Sequence, residues 1–348
     1  MNKSIVLQIL KYLPLKPLFR PFYSGCGSIL FMHKVISHHE DRQRIEMMKA
    51  NEIDVDFLEK MLLYLKKKYD IISIDEMTQV LKLKKKLKKK FIVITFDDGY
   101  KDNITLAYPI FKKLQIPLTI YITNCFPNKT ANLWWYMLED ILLEKSKIRL
   151  TYKNKHHQFI CENQNQKNKS FEKIRGIIIN ANAQEQKLIL DQLQDNYNKD
   201  LTSYINKEAL SWEEIEKISK DPLVTIGCHT KNHLSLNTLS KKEQIKEILD
   251  SKIEIDKRTN KDTNHFAYPF GTSNEINKNE VENLKSTLSF TSGTTTRTGN
   301  IFEEHANHMY ALPRIQVLGT QADLSVLELY ICGLIPALKN KFRKTVTL

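Results

Sequence analysis

Phe91-Ile92-Val93-Ile94-Thr95-Phe96-Asp97-Asp98-Gly99-Tyr100 is the stretch on which the reading of this chain turns. Its first six residues are nearly all apolar and rich in β-formers, as a strand buried on both faces requires, and the run stops abruptly at two adjacent carboxylates. Desolvation and mutual repulsion both oppose ionising neighbouring aspartates at the end of a buried strand, so Asp97 and Asp98 need compensation. A purely structural use also exists, in which one aspartate caps the next helix and Gly99 supplies unusual backbone angles.

The segments on either side alternate short β-branched runs with helical patterns, the rhythm of βα units and a parallel sheet. Strands are expected at Ser28 to His33, Ile71 to Ile74, Leu118 to Ile122, Val224 to Cys228, His265 to Tyr268, Ser289 to Thr294 and Leu312 to Val317. Helices are expected at Val55 to Tyr69, where Phe57, Leu58, Met61, Leu62 and Leu65 share one face, from Asp75 to Leu81, and from about Asp102 to Leu114. Between about Phe126 and Leu210 the texture turns polar and rich in Asn, Gln and Lys, with a hairpin expected near Ile148 to Cys161 and helices around Ser170 to Asn196. This stretch reads as an insertion. The domain plan is therefore an N-terminal segment 1–27, a barrel over 28–322 containing an insertion at about 126–210, and an apolar then basic tail over 323–348 that docks on the barrel or lies on a membrane surface.

A second constellation follows the strand at Val224 to Cys228: His229-Thr230-Lys231-Asn232-His233, two histidines at i and i+4. On a helical turn this spacing puts both imidazoles on one side, close enough to share a metal ion. The pair also has a bland reading as a surface coincidence. It follows a buried strand, however, as Asp97-Asp98 does, and in a barrel of parallel strands the carboxyl ends form the face that carries active sites. One carboxylate and two histidines leave an open position on a divalent cation, and the spare carboxylate can take a proton from water that the cation acidifies. Hydrolysis is the chemistry these groups suit.

Composition sets the outer limits. The chain has 348 residues, 41% hydrophobic and 27% charged, values of an ordinary globular protein. Much of its net charge of +13 is concentrated in Lys82 to Lys90, where only Leu83 and Leu87 interrupt the lysines. That run fits a solvated face or a contact with anionic lipid or glycan; no recognition module accompanies it, so nucleic acid is not an expected partner. Cys26, Cys125, Cys161, Cys228 and Cys332 form no close pair, which suits a reducing compartment. The stretch Ile5 to Leu10 is ended by Lys11 without a clear cleavage site, and no apolar run reaches spanning length, so neither a secretory signal nor a transmembrane helix is expected. The expected location is cytoplasmic, with peripheral contact at the inner face of an anionic membrane.

At the residues quoted the chain resembles the polysaccharide deacetylase (NodB homology) family, carbohydrate esterase family 4. Thr95-Phe96-Asp97-Asp98-Gly99-Tyr100 is similar to its first motif, His229-Thr230-x-x-His233 to its second, Phe266-Ala267-Tyr268-Pro269-Phe270-Gly271 to a form of its third, and Leu312-Pro313-Arg314-Ile315 to a late one. Order and spacing agree from about Ser28 to Val317. The first strand with His33, and Trp134-Trp135 at the start of the insertion, resemble members associated with capsule and lipopolysaccharide synthesis.

The resemblance implies an α/β fold, a distorted (β/α)7 barrel with an inserted subdomain, that hydrolyses N-acetyl groups on a glycan or lipid-linked sugar. It implies Asp97 as general base, Asp98, His229 and His233 as ligands of one divalent cation, zinc or a similar ion, and the Phe270 backbone N–H as a donor to the acetyl oxygen. Two departures stand out. Many members begin the third motif with an arginine that orients the base; here that position is Ala267, and Arg314 is the replacement expected. The late Leu-x-His motif that supplies the acid is absent, leaving His33, His305, His308 or Asp97 itself to protonate the amine. Competing readings are an amide hydrolase for a small non-sugar substrate on the same barrel, and a glycan- or membrane-binding protein without turnover. Trp134 and Trp135 are read as a sugar platform or as packing of the insertion, and Cys228 as a buried small residue.

Overall fold

The structure, a computed structural model, describes residues 3–37, 44–181, 183–287 and 290–348, with side chains from Leu7 onward and, in the helix at Ala183, beyond that residue. The chain divides into two compact units, one of residues 1–38, 51–128 and 210–348 and one of residues 39–50 and 129–209.

The first unit is a closed barrel of seven parallel strands: β1 Gly27–Met32, β2 Phe91–Phe96, β3 Leu118–Ile122, β4 Val224–Cys228, β5 His265–Ala267, β6 Ser292–Thr298 and β7 Leu312–Gln316. Each pairs with its neighbour in chain order, and β1 closes the ring by pairing with both β2 and β7. A two-residue strand, Asp70–Ile71, lies along the amino-terminal half of β2, where β3 does not reach. The fold class is thus the distorted (β/α)7 barrel.

Side-chain alternation sorts the strands into two layers. On β2, Ile92, Ile94 and Phe96 face outward and join Leu58, Met61, Leu62, Leu65 and Phe111 from the covering helices in one apolar cluster. Phe91 and Val93 face the lumen with Ile29, Tyr121, Ala267 and Leu312. Gly227 on β4 leaves room in that lumen: a Cβ there would stand 2.3 Å from the Tyr121 ring.

Capping fixes the helices. Val55–Lys68 starts at Asp54, whose side chain accepts from the backbone of Asp56 and Phe57, and Ile74–Lys82 and Lys241–Thr259 start with capping boxes at Ser73 and Ser240. After β2 the chain forms a π-helix, Asn103–Ala107, before the α-helix Tyr108–Leu114, where one continuous helix was expected. The sixth barrel strand corrects another expectation: it runs over Ser292–Thr298 instead of Ser289 to Thr294. Thr291 N–H is already engaged by the Asn264 carbonyl, and ladder pairing begins with Ser292 opposite His265; Ser289 lies outside the described residues.

The apolar tail packs into the same unit as two helices, Leu324–Ile331 and Leu334–Lys339, burying Val326, Leu327, Leu329, Ile331, Leu334 and Ile335. No helix among the described residues is long and apolar enough to cross a membrane.

The second unit has its own core. The hairpin Lys147–Tyr152 and Lys155–Ile160 and the helices Trp134–Glu144, Gln164–Asn180, Ala183–Tyr197 and Leu201–Glu208 bury Met137, Leu138, Ile141, Ile148, Phe171, Ile174 and Leu193. Asn182, between two of these helices, lies outside the described residues. Arg44 adds a two-pronged ion pair to the buried Glu139, at 2.8 and 2.9 Å, bringing a distant stretch of chain into this unit. Trp134 is buried, its ring edge-on to Trp135 at 5.6 Å.

Candidate active site

The alternation that fills the lumen with Phe91 and Val93 carries on through Thr95 to Asp97, so Asp97 emerges inside the mouth at the carboxyl end of β2. The same parity brings His33 after β1, His229 after β4 and Arg314 on β7 toward that mouth. Asp98 would by parity point away. Its backbone instead takes φ +76°, followed by Gly99 at +90°, and this left-handed turn brings its side chain back to the mouth.

The two histidines come together in a way the spacing did not foresee. Residues 229–233 form no helical turn; they are a loop bent by left-handed conformations at Thr230, φ +66°, and His233, φ +55°. The bend is held by His233 N–H donating to Thr230 Oγ1 at 3.1 Å and by Asn232 donating to the largely buried Glu247 through its backbone N–H and its side-chain amide. His229 is anchored at both ends, its backbone N–H on the Ile122 carbonyl at 2.8 Å and its Nδ1 on the Ala267 carbonyl at 2.7 Å. With Nδ1–H donated to a carbonyl, Nε2 carries the free lone pair.

Asp98 Oδ1 lies 3.4 Å from His229 Nε2 and 3.3 Å from His233 Nε2, and the three ligand atoms all lie within 4.8 Å of one another. A tetrahedral ion with ligands at roughly 2.0–2.1 Å requires ligand separations of about 3.3 Å. Asp98 Oδ1 is buried and has no hydrogen-bond partner: the imidazoles approach it closely without the alignment of a hydrogen bond. An orphaned carboxylate oxygen equidistant from two imidazole nitrogens fits a divalent cation. Burial opposes ionisation of Asp98, but the neighbouring His229 and His233 more than offset it and hold the carboxyl well below its usual range. Burial likewise lowers the His229 pKa, and Asp98 and Asp97 raise it to a net value above the ordinary one, so a cation here would compete with a proton.

Asp97 is 2% exposed and is gripped by Arg314, itself fully buried, through Nη1 to Oδ1 and Nη2 to Oδ2, both at 2.7 Å. Arg314 is fixed in turn by Nε donating to the Thr295 carbonyl at 3.0 Å, by Nη1 donating to Thr95 Oγ1 at 3.2 Å, and by the Phe31 ring 4.3 Å from its guanidinium carbon. Ala267 faces the same lumen, and its small side chain leaves the interior free for an arginine arriving from β7. Burial raises the Asp97 pKa; the charge and hydrogen bonds of Arg314, with smaller help from His229 and His33, bring it below the usual carboxylate value. Thr95 was not singled out from sequence, although its lumen-facing parity was there to read.

The third motif forms a tight turn with Phe270 at φ +61° and Gly271 at φ +64°. A Cβ on Gly271 would stand 2.8 Å from the Thr296 backbone nitrogen, so only glycine fits. The Phe270 backbone N–H finds no acceptor among the described residues, and its half-exposed ring lies 5.1 Å from the His233 ring.

Of the other histidines, His33 is placed beside the carboxylates, close enough to lower the pKa of both Asp97 and Asp98, and its buried Nδ1 has no partner. The Asn103 side chain donates to the His33 carbonyl at 2.8 Å, and Asp102 accepts from Val35 N–H at 2.8 Å, tying the end of β1 to the π-helix. His305 is buried and held by the Phe302 backbone and the Val346 carbonyl, and His308 is exposed; both precede the amino end of β7, away from the mouth. Cys228 Sγ contacts Ser251 Oγ at 3.2 Å, and burial pushes its thiol up to about 12.

Comparison with known proteins agrees with this geometry. The chain is 24% identical over 249 residues to the protein described as "Putative polysaccharide deacetylase YxkH" of Bacillus subtilis, covering 72% of this chain and 59% of that one. Among solved structures it superposes on the Streptococcus pyogenes deacetylase PplD in complex with acetate, TM-score 0.56 and 20% identity over 87% of this chain and 96% of that one. It also superposes on a de-N-acetylase from Aggregatibacter actinomycetemcomitans, TM-score 0.55 and 15% identity over 87% and 98%. These likenesses concern the fold. The polysaccharide deacetylase family model matches residues 84–289, more than half of the sequence and all of the stretch from Asp97 to Phe270, so the chain belongs to the polysaccharide deacetylase family.

Proposed function

We propose that this protein hydrolyses the N-acetyl group of an amino sugar in a glycan or lipid-linked saccharide, releasing acetate and a free amine. The observation that carries the reading is the pairing of two differently equipped carboxylates: Asp97, locked by Arg314, stands next to Asp98, whose free oxygen faces two imidazole nitrogens. Asp98, His229 and His233 hold one divalent cation, zinc or a similar ion, which supplies Lewis-acid polarisation of the acetyl carbonyl and acidifies water.

Asp97 is the general base. It is ionised at neutral pH, and the two-point grip of Arg314 holds its carboxylate toward the mouth of the barrel. The Phe270 N–H donates to the oxygen that becomes negative as water adds to the acetyl carbon. Collapse of the tetrahedral intermediate expels the sugar nitrogen, which needs a proton; His33 supplies it, its place beside Asp97 and its unpartnered Nδ1 supporting that role.

The test is acetate release from a panel of N-acetylated glycans and lipid-linked sugars, with and without chelator. The lipid-linked members belong in the panel because His33 and Trp134-Trp135 resemble proteins of surface-polysaccharide synthesis. Asp97→Asn should lower turnover by roughly 100- to 10,000-fold while the protein keeps its metal. Activity indifferent to chelation, or wild type releasing no acetate from any substrate, would sink the reading.

A further inference from the structure

The helix Lys16–Tyr23 turns its apolar face outward. Pro17, Leu18, Pro21 and Phe22 recur at the three- and four-residue steps that form one helical stripe, and all four are exposed, Leu18 at 63% and Phe22 at 57%. The opposite side carries the attachments: Phe19 packs on the core, Arg20 pairs with the buried Glu328, and the Tyr23 ring meets Phe342 at 6.1 Å. A surface helix of a water-soluble protein ordinarily shows polar residues on its outer face. Just before this helix Tyr12 is 80% exposed and Leu13 42%, adding apolar surface at its amino end.

Basic residues gather at the carboxyl-terminal end of the helix. Lys341, Arg343 and Lys344 are exposed, the last with its ammonium 5.8 Å from the Tyr23 ring. The residues following the helix, Ser24 and Gly25, accept hydrogen bonds from Lys90, the end of the lysine run. Lys84, Lys85, Lys86, Lys88 and Lys89 are exposed and line a cavity of about 300 Å³ with Cys26 and Phe91. The end of this helix and the lysine run lead into the amino ends of β1 and β2, whereas Lys11 ahead of the helix pairs with Asp323 beyond the carboxyl end of β7, so the helix runs along the side of the barrel and the lysine run sits at the end opposite Asp97 and Asp98.

We infer that this face docks on an anionic membrane surface, the Leu18 and Phe22 stripe entering the interfacial layer while the lysine run and the Lys341 to Lys344 cluster meet lipid headgroups. Exposed aliphatic and aromatic side chains flanked by cations are what such a surface takes. A second copy of the chain is the poorer occupant, because it would bring the same cations against themselves. The inference is independent of the proposed chemistry.

The experiment is co-sedimentation of the full chain with phosphatidylcholine vesicles with and without phosphatidylglycerol. Binding should require phosphatidylglycerol, weaken as salt rises, and fall roughly fivefold for each lysine of the run changed to glutamine. Leu18→Glu with Phe22→Glu should abolish it, with circular dichroism checking the fold. As a measurement that needs no disruptive change, Phe22→Trp should show fluorescence quenched by brominated lipid. Partition unaltered by the double variant, equal binding to neutral vesicles, or a dimer in vesicle-free solution that the double variant dissolves would each overturn the inference.

Discussion

Arg314 on the last barrel strand meets Asp97 at the end of the second through two parallel hydrogen bonds of 2.7 Å, with both side chains withdrawn from solvent. Attraction alone does not make such a pair stabilising, since two charges have been desolvated, but removing one partner strands the other. Arg314→Ala should therefore cost about 3–5 kcal/mol of stability, measurable by urea denaturation. Its effect on catalysis has a separate signature. Arg314 holds the Asp97 pKa down against burial, so without it the carboxylate takes up a proton at higher pH. The acid limb of the kcat/KM profile should move to higher pH in any Arg314 variant that still folds, and an unmoved limb would detach Arg314 from the base.

The second prediction concerns Asp98, whose buried Oδ1 has no hydrogen-bond partner and which the proposed function assigns to a cation. Chelation should lower the Tm, and zinc present at about 100 times its dissociation constant should restore roughly 2.7 kcal/mol. His233→Ala should abolish this response. Because His229 has a raised pKa, metal affinity should fall as pH drops through it. Calorimetric titration at several pH values checks both, and metal binding undisturbed by His233→Ala would remove that residue from the ligand set.

Much of this site could be read in the sequence because barrel strands obey a period of two. Counting from Phe91, every second residue leads into the lumen and ends on Asp97; the same count on β7 puts Arg314 and Leu312 together, and on β5 it places Ala267 opposite the room an arginine fills. Backbone conformation was less legible. Nothing local marks Asp98, Thr230, His233 and Phe270, none of them glycine, as left-handed, yet all four are, and their side chains converge or turn because of it. Such residues are held by contacts from elsewhere, as Glu247 holds Asn232, and a spacing rule built on regular helix cannot anticipate them. The pairing of Arg44 with Glu139 was equally hidden, since no local pattern links residues so far apart in the chain.

A third prediction follows from the amino-terminal end of the barrel, where Ser292 Oγ, His265 and Asp75 form a chain of hydrogen bonds at 2.8 and 2.9 Å. Asp75 lies in the first turn of the helix Ile74–Lys82, so the chain fastens that helix to β5 and β6. The hydrogen bond from His265 outweighs partial burial and holds the Asp75 pKa below its ordinary value near 3.8. A depressed carboxyl contributes stability that is present above the unfolded pKa and lost as pH falls through the folded one. Asp75→Asn should lower stability at neutral pH, by less than about 1 kcal/mol because half of the side chain is open to water, and the difference should begin to shrink as pH falls below ~4 and disappear only below the depressed folded pKa. Denaturation curves at neutral and acid pH measure it, and a gap persisting in acid would contradict the assignment.

The proton that leaves with the amine gives the last prediction. Strand pairing aligns Met32 with Phe96, so the next residue on each strand, His33 and Asp97, lies at the same level of the mouth. His33 is fixed there by Asn103 on its carbonyl, while its buried Nδ1 is unpartnered. If it protonates the sugar nitrogen, His33→Ala should reduce kcat by roughly 100-fold or more with KM and metal content unchanged. A substrate with a more acidic leaving amine needs less help, so the variant should recover much of its loss on an activated N-acetyl substrate. If His33→Ala keeps kcat, Asp97 returns the proton it took from water, and His33 serves only to shape the field around the two aspartates.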